Sequence, residues 1–197
     1  MAKPVATAHF PDISHYSDGG IDFHAVANGG VPLVITKASQ GSHYTDPTYA
    51  GFAQRIRSVP LILGAYCYLN VAPEGPQVAH FIDVAHLQKG DLQPVIDAEE
   101  AGLGKDETFA AMEDLEGRGY RPILYCNSDF FVNTLNSPTK WPLWLAAYRA
   151  TLPSLAPGVR LFAWQHTDHG ICPGVAKPCD MSYLYVSLEN LKDYLID

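Results

Sequence analysis

The sequence lacks any cluster of lysine or arginine, and its 13 basic residues are outnumbered by 21 acidic ones, which gives a formal net charge of −8. A protein that follows the phosphates of a nucleic acid needs a basic stripe that displaces counterions. A helix that lies on a membrane surface likewise needs a basic polar face. The charge pattern therefore predicts no nucleic-acid partner and no membrane partner.

Long hydrophobic runs are also missing, since no apolar stretch approaches the roughly 20 residues that a membrane-spanning helix requires. Residues 1–10 lack the apolar core of a secretory signal peptide. We expect no signal peptide in this chain, and three interpretations stay open: a cytosolic protein, release by another route, or a leader that had already been removed.

Cysteine is scarce, with four residues at positions 67, 126, 172 and 179. The first two lie in apolar runs, where a free cysteine usually acts as a small buried hydrophobe. The last two bracket a loop containing proline and glycine and could close a short disulfide. Together with His166 and His169 they could instead bind zinc, although this spacing matches no known zinc module. We expect neither a metal nor another cofactor.

Short apolar runs alternate with segments of helical periodicity through the whole chain. Candidate strands cover residues 9–14, 33–38, 61–68, 93–97, 122–126, 143–148, 161–165 and, more weakly, 180–185. Candidate helices cover residues 48–57, which Asp46 and Pro47 open as an N-cap and first helical proline, and residues 78–87, 108–115 and 187–195.

This alternation indicates parallel strands joined by crossovers, hence an α/β fold, either a βα barrel or a doubly wound sheet. Eight candidate strands favour the barrel. The 197 residues are few for eight complete βα units, so several helices should be shortened or missing. No linker or internal repeat divides the sequence, and we expect one domain over residues 1–197.

Two carboxylates interrupt the apolar pattern where the fourth candidate strand ends. Asp97 and Glu99 stand two residues apart, and alternate residues of a strand point to the same face with a repeat of roughly 6.6 Å. Both should project at the end of a barrel where active sites are built. Neighbouring acids push their pKa values apart, so that one stays protonated as a general acid while the other is ionised. An isolated pair of this kind could equally begin a solvated loop.

Polar and aromatic side chains stand at most of the other candidate strand ends. They are Asp12, Lys37, Tyr66, Tyr68, Tyr125, Tyr148, Trp164, Gln165 and Asp180. Together they predict a cleft with a carboxylate floor and aromatic walls. Aromatic rings stack on sugar rings, and paired acids hydrolyse glycosidic bonds, so the pattern suits carbohydrate hydrolysis. For any single tyrosine, packing in the core is an equally good explanation.

Several motifs occur in the order typical of one known family. They occupy residues 12–16 (DISHY), 21–23 (IDF), 36–41 (TKASQG) with Tyr44 and Asp46, 64–66 (GAY), 94–99 (PVIDAE), 122–125 (PILY), 143–148 (LWLAAY) and 164–165 (WQ). On these motifs the chain resembles the family 25 glycoside hydrolases, the Chalaropsis-type lysozymes or N-acetylmuramidases. The resemblance implies a single catalytic domain, a flattened, TIM-like βα barrel that cleaves the β-1,4 bond between N-acetylmuramic acid and N-acetylglucosamine in peptidoglycan.

The resemblance also implies roles for individual residues. Glu99 would give a proton to the leaving oxygen, with Asp97 as its paired carboxylate and Asp12 and Asp180 as flanking acids. The residues expected to bind sugar are Lys37, Tyr66, Tyr68, Tyr125, Trp144, Tyr148, Trp164 and Gln165.

The expected mechanism is retention of the anomeric configuration. Carboxyls two residues apart on a strand start near the boundary between the about 5–5.5 Å separation of retaining pairs and the about 6.5–9.5 Å of inverting pairs. We expect the substrate's acetamido oxygen to attack, with Glu99 acting first as acid and then as base, and Asp97 assisting. The expected partner is the peptidoglycan glycan strand. We expect the protein to be a monomer that is secreted or otherwise released and acts on the cell wall. A non-catalytic glycan-binding barrel and a chitin-type hydrolase are the alternatives.

Overall fold

The computed structural model describes residues 6–17, 19–136 and 138–197. Residues 1–5 of the segment examined for a signal peptide lie outside the described residues. The strands are β1 (Ala8–Ile13), β2 (Leu33–Gln40), β3 (Tyr44–Thr45), β4 (Ile62–Tyr68), β5 (Val95–Asp97), β6 (Ile123–Asn127), β7 (Leu143–Ala146), β8 (Leu161–Gly170) and β9 (Cys179–Leu184). The α-helices are α1 (Phe23–Asn28), α2 (Tyr49–Arg57), α3 (Glu74–Ala85) and α4 (Lys105–Gly117).

Eight of the strands close into a barrel in the order β1, β9, β8, β7, β6, β5, β4, β2, because β2 pairs back to β1. Neighbouring strands from β1 through β2 and β4 to β8 run parallel. Strand β3 is a two-residue addition that pairs with the end of β2. The prediction of an α/β barrel with shortened or missing helices is confirmed.

The prediction that the strands all run parallel is wrong for the last one. Strand β9 is antiparallel to both of its neighbours, β1 and β8. Residues 171–178 are the whole connection between β8 and β9, and a parallel crossover needs a dozen residues or more. A connection of this length allows only a hairpin.

The predicted helix over residues 187–195 is also wrong, since this segment forms only a 3₁₀ turn, Asn190–Tyr194. Leu191 is its one buried residue, and short helices need an extended buried face to be stable. Two longer helical segments were not predicted, α1 and a π-helix, Phe130–Leu135, and neither was the three-residue 3₁₀ turn His15–Ser17. Both have six residues, too few for a clear hydrophobic period.

Helices α2 and α3 pack on the outside of the barrel against β2 and β4. The buried residues of α2 are Tyr49, Phe52, Ala53 and Ile56, spaced three and four apart as one helix face requires. No helix in the described part of the chain has both the length and the apolar character needed to cross a membrane. Apolar side chains thus fill the barrel wall, and polar side chains concentrate where the parallel strands end.

Candidate active site

A cleft opens at the end of the barrel where the parallel strands terminate. It is lined by Asp12, Tyr66, Asp97, Glu99, Tyr125, Trp144, Tyr148 and Asp180. The fold therefore brings together all four acids named from the sequence and four of the eight residues expected to bind sugar. Their elements lie far apart in the chain, and the closure of the barrel makes them neighbours.

The first pair of acids differs in depth. Asp97 is the last residue of β5 and is only 6% exposed, while Glu99 lies two residues beyond it and is partly exposed. Asp97 Oδ1 is buried without a hydrogen-bond partner among the described residues. Glu99 has a side-chain hydrogen bond with Asn127, the last residue of β6. Asp97 thus forms the floor of the cleft, and Glu99 is the more accessible group.

Burial raises the pKa of both carboxyls, and nearby negative charges add to the effect. The charge of Glu99 raises the pKa of Asp97 further, and the charge of Asp180 does the same for Glu99. The positive charge of Lys37 opposes the rise at both acids. The rise is larger at Asp97, because it lies deeper.

The second pair, Asp12 and Asp180, consists of directly opposed residues of β1 and β9. Burial raises the pKa of Asp12 well above its usual range, and the charge of Asp180 raises it further. Burial also raises the pKa of Asp180, although the hydrogen bond that it accepts from Asp12 counteracts part of this rise. The pair is arranged to share one proton, because two ionised carboxyls in contact repel each other.

Gln165 was expected to bind sugar, but it is 1% exposed and lies behind the cleft wall. Its Nε2 donates to Asp12 Oδ2 at 2.9 Å. Its Oε1 accepts from the hydroxyls of Tyr125 at 2.9 Å and Tyr148 at 3.1 Å. These contacts connect β8 to β1, to β6 and to the segment after β7. Gln165 thus holds one acid and two phenols of the cleft in fixed positions.

Trp164 was also expected to bind sugar and is also buried away from the cleft. Its Nε1 donates to the carbonyl oxygen of Ala147 at 2.8 Å. Its ring lies 5.5 Å from that of Tyr183 and 5.7 Å from that of His166. Trp164 therefore belongs to the packing of β8 and β9 and supports the segment that carries Tyr148.

Lys37 and Tyr68 lie beside the cleft rather than in its lining. Lys37 Nζ donates to Gln40 Oε1 at 2.7 Å and lies 5.0 Å from the centre of the Tyr68 ring. The Tyr68 hydroxyl donates to Glu100 Oε2 at 2.7 Å. The contribution of Lys37 to the cleft is electrostatic, through its charge near Asp97 and Glu99.

The cleft continues past Glu99 into a second lobe between the ends of β6 and β7. Glu99 and Tyr148 line both lobes, and the residues particular to the second lobe are Asn127, Ser128, Asp129, Ala146 and Ala147. None of these five was named as a site residue from the sequence. A signal was available, because Asn127 and Ser128 directly follow the apolar run of β6. Glu99 lies where the two lobes meet.

The four cysteines are free and buried, and burial raises the pKa of Cys172 to about 11 and that of Cys179 to about 12. Within residues 6–17, 19–136 and 138–197, no three histidine, cysteine, aspartate or glutamate side chains are grouped so that they could hold a metal ion. The alternative zinc ligands, His166, His169 and the two cysteines, thus form no such group.

Sequence comparison relates the chain to glycan-cleaving proteins. Residues 11–175 match the family described as "Glycosyl hydrolases family 25". The autolytic lysozyme of Clostridium acetobutylicum is 29% identical over 169 residues. This match covers 83% of the chain and 52% of the relative, so the chain spans about half the length of that protein.

Solved structures show the same fold over almost the whole chain. A family 25 glycosyl hydrolase from Bacillus anthracis superposes with a TM-score of 0.87 at 22% identity, covering 100% of this chain and 97% of that one. A lysozyme from Streptomyces coelicolor gives 0.86 at 20% identity, with 97% and 98% covered. A muramidase from Trichobolus zukalii gives 0.82 at 24% identity, with 96% and 99% covered.

Proposed function

The chain belongs to glycosyl hydrolase family 25, and on that basis we propose that it is a lysozyme, an N-acetylmuramidase that hydrolyses the β-1,4 bond between N-acetylmuramic acid and N-acetylglucosamine in peptidoglycan. The observation that carries this proposal is the two-lobed cleft, in which four desolvated acids stand between aromatic walls. The names of the similar proteins, lysozyme and muramidase, support it. Residues 1–197 then act as one catalytic domain on the glycan strands of the cell wall.

Glu99 is the proposed proton donor. Because it lies where the lobes meet, a glycosidic bond between sugars in the two lobes would lie at its carboxyl. A sugar that covers Glu99 removes it from water, which raises its pKa beyond the rise already caused by burial and by Asp180. Substrate binding thus favours the protonated form that can protonate the leaving oxygen.

Asp97 is the proposed assisting carboxyl. Its Oδ1 is an acceptor without a partner in the described part of the protein, and the N–H of the substrate's acetamido group is a donor that could satisfy it. Holding that N–H directs the acetamido oxygen towards the anomeric carbon. The oxygen then forms a bond to this carbon while the bond to the leaving oxygen breaks and Glu99 gives up its proton. In the second step Glu99 takes a proton from water, which attacks the same carbon and releases the acetamido oxygen.

Digestion of purified peptidoglycan tests this proposal. We expect new reducing ends that mass spectrometry identifies as muramic acid, and an initial product with the β configuration by NMR. An α product would exclude retention, and glucosamine at the new end would exclude muramidase specificity. Cleavage of chitin oligosaccharides at a similar rate would favour a chitin-type hydrolase. Binding of glycan without cleavage would favour a non-catalytic barrel.

A further inference from the structure

Aromatic side chains stand exposed at the rim of the barrel mouth, outside both lobes of the cleft. Tyr16 is 80% exposed and Tyr44 is 40% exposed. The Tyr16 ring packs on His15 with 3.9 Å between ring centres, and the Tyr44 hydroxyl lies 3.2 Å from His15 Nδ1. We refer to His15, Tyr16 and Tyr44 as the tyrosine shelf. Large apolar groups exposed together in this way often mark a binding surface.

The shelf is held rigid by a buried carboxylate, Asp46, which is 1% exposed. Its Oδ2 accepts from His15 N at 3.1 Å and lies 2.8 Å from His15 Nδ1. Its Oδ1 accepts from Thr48 N at 2.9 Å and from Thr48 Oγ1 at 2.6 Å. A fixed His15 ring in turn restricts the Tyr16 ring that packs against it. Such pre-organisation lowers the entropy that a bound ligand must remove.

The position of the shelf is set by the chain around it. His15 and Tyr16 directly follow β1, and Tyr44 lies on β3, which the chain reaches through a turn at Gly41. Gly41 has a φ of +58°, and a Cβ there would lie 2.6 Å from Asn70 Nδ2. Only glycine fits this turn without strain.

The shelf and the second lobe lie on opposite sides of the barrel mouth. In the closed order of eight strands, β1 and β2 stand across from β6 and β7, and the second lobe lies between the ends of β6 and β7. Lys37 connects the shelf to the acids, since its Nζ lies 5.8 Å from the centre of the Tyr44 ring and its charge acts on Asp97 and Glu99. A linear ligand that runs from the second lobe past Glu99 and across the first lobe would meet the shelf next.

We propose that the tyrosine shelf binds an additional sugar ring of the glycan strand, beyond the two sugars that flank the cleaved bond. The inference rests on the proposed function, because it extends the same cleft along the same polymer. One face of the Tyr16 ring is covered by His15, and the rest is exposed enough to stack on the apolar face of a pyranose ring. The Tyr44 hydroxyl offers a hydrogen bond to the hydroxyls of that ring.

Binding of defined glycan strands to the Glu99→Gln protein tests the shelf without turnover. Isothermal titration calorimetry would compare a disaccharide with longer strands prepared from peptidoglycan. We expect Tyr16→Ala, added to Glu99→Gln, to lower the affinity for the longer strands about tenfold, the size of one aromatic contact, and to change the affinity for the disaccharide little. The matched control is Tyr185→Ala at the opposite end of the barrel, which should leave the dependence on length unchanged.

A second variant separates binding from positioning. Asp46→Asn should loosen His15 and so lower the affinity for the longer strands, but by less than Tyr16→Ala does. Thermal unfolding would show that both variants remain folded. The proposal would be overturned if Tyr16→Ala and its parent bound strands of every length with equal affinity. It would also be overturned if Tyr16→Ala lowered the affinity by the same factor for the disaccharide and for the longer strands. In either case cleavage by the unchanged protein would leave the proposed function intact. If the unchanged protein neither bound nor cleaved glycan, the proposed function would fail and the shelf with it.

Discussion

Two buried aspartates, one below the tyrosine shelf and one on the floor of the cleft, have opposite properties. Asp46 accepts hydrogen bonds from two residues at both of its oxygens, whereas Asp97 Oδ1 has no partner in the part of the chain that the structure describes. Burial alone would raise both pKa values. At Asp46 the bonds from Thr48 and His15 outweigh burial and lower the pKa, while at Asp97 burial and the charge of Glu99 raise it.

The comparison shows that the supply of donors, together with depth, distinguishes a carboxylate that stabilises the fold from one that is available for chemistry. A carboxylate with all its acceptors satisfied fixes its neighbours and stays ionised. A carboxyl with too few donors is destabilising when it ionises, and a proton or a substrate group can relieve it. Strongly shifted pKa values in a cleft are therefore typical of functional sites.

The largest effect should follow from removing the accessible acid of the cleft. We expect Glu99→Gln to lower kcat/KM on peptidoglycan about 10²- to 10⁴-fold, because the amide cannot give a proton to the leaving oxygen. Reducing-end release measures this loss, and the fold should be retained. Glu113→Gln, on the exposed side of α4, is the control with normal activity. Full activity of Glu99→Gln would show that the proton comes from another group.

Removing the charge of Asp46 should instead lower stability. We expect Asp46→Asn to reduce the free energy of unfolding at pH 7 by about 2 kcal/mol, the size of lost hydrogen bonds to a charged group. A lowered pKa in the folded state stabilises the protein above the unfolded pKa of about 3.9, and this contribution disappears as the pH falls through the folded value. Urea unfolding at pH 7 and at pH 3 should therefore show a smaller penalty at pH 3. An equal penalty at both pH values would mean that the charge of Asp46 contributes nothing.

The sequence could not distinguish these two aspartates. Each aspartate stands at the end of a regular element. Asp97 ends an apolar strand, and the sequence predicts Asp46 as the N-cap of a helix. In the structure the N-cap of that helix is Thr48. Thr48, two residues along the chain, contributes most to lowering the pKa of Asp46, and a further donor comes from His15, 31 residues away. Periodicity reports the nearest neighbours of a residue along the chain, and it contains no information about donors that reach it from another strand.

The same reason explains which other features were predictable. Strand positions and the four acids follow from local apolar runs and from the residues that end them. The burial of Gln165 and the direction of β9 depend on how distant strands pair. The register of β8 shifts where it pairs with β7 and β9, so simple alternation along β8 could not show which of its side chains reach the cleft.

Gln165 offers a test of whether a hydrogen-bond donor lowers the pKa of a cleft acid, as the donors to Asp46 do. Its amide lowers the pKa of Asp12 against the larger effects of burial and Asp180. We expect Gln165→Leu to lower kcat/KM about tenfold or more, because it removes three hydrogen bonds to side chains of the cleft, and to move the acidic limb of the pH profile to higher pH. His166→Ala changes the next residue and should leave the profile in place. A tenfold loss with an unchanged profile would mean that Gln165 acts only through packing.

The smallest expected effect is a change in the free energy of unfolding when Asp97, at the floor of the cleft, is replaced. Because the folded state raises the pKa of Asp97, it binds this proton more tightly than the unfolded state. The associated stability is fully present below the unfolded pKa and is lost as the pH rises through the folded value. Asp97→Asn removes the ionisation, so we expect it to stabilise the protein at pH 7 by about 1 kcal/mol.

Thermal unfolding across pH measures this gain, which should vanish at about pH 3, where both proteins are neutral at this position. Asp83→Asn, at an exposed position of α3, should change stability little at any pH. If Asp97→Asn were instead destabilising at pH 7, Asp97 would be a structural carboxylate of the same kind as Asp46. The distinction between the shelf and the floor of the cleft would then have no energetic basis.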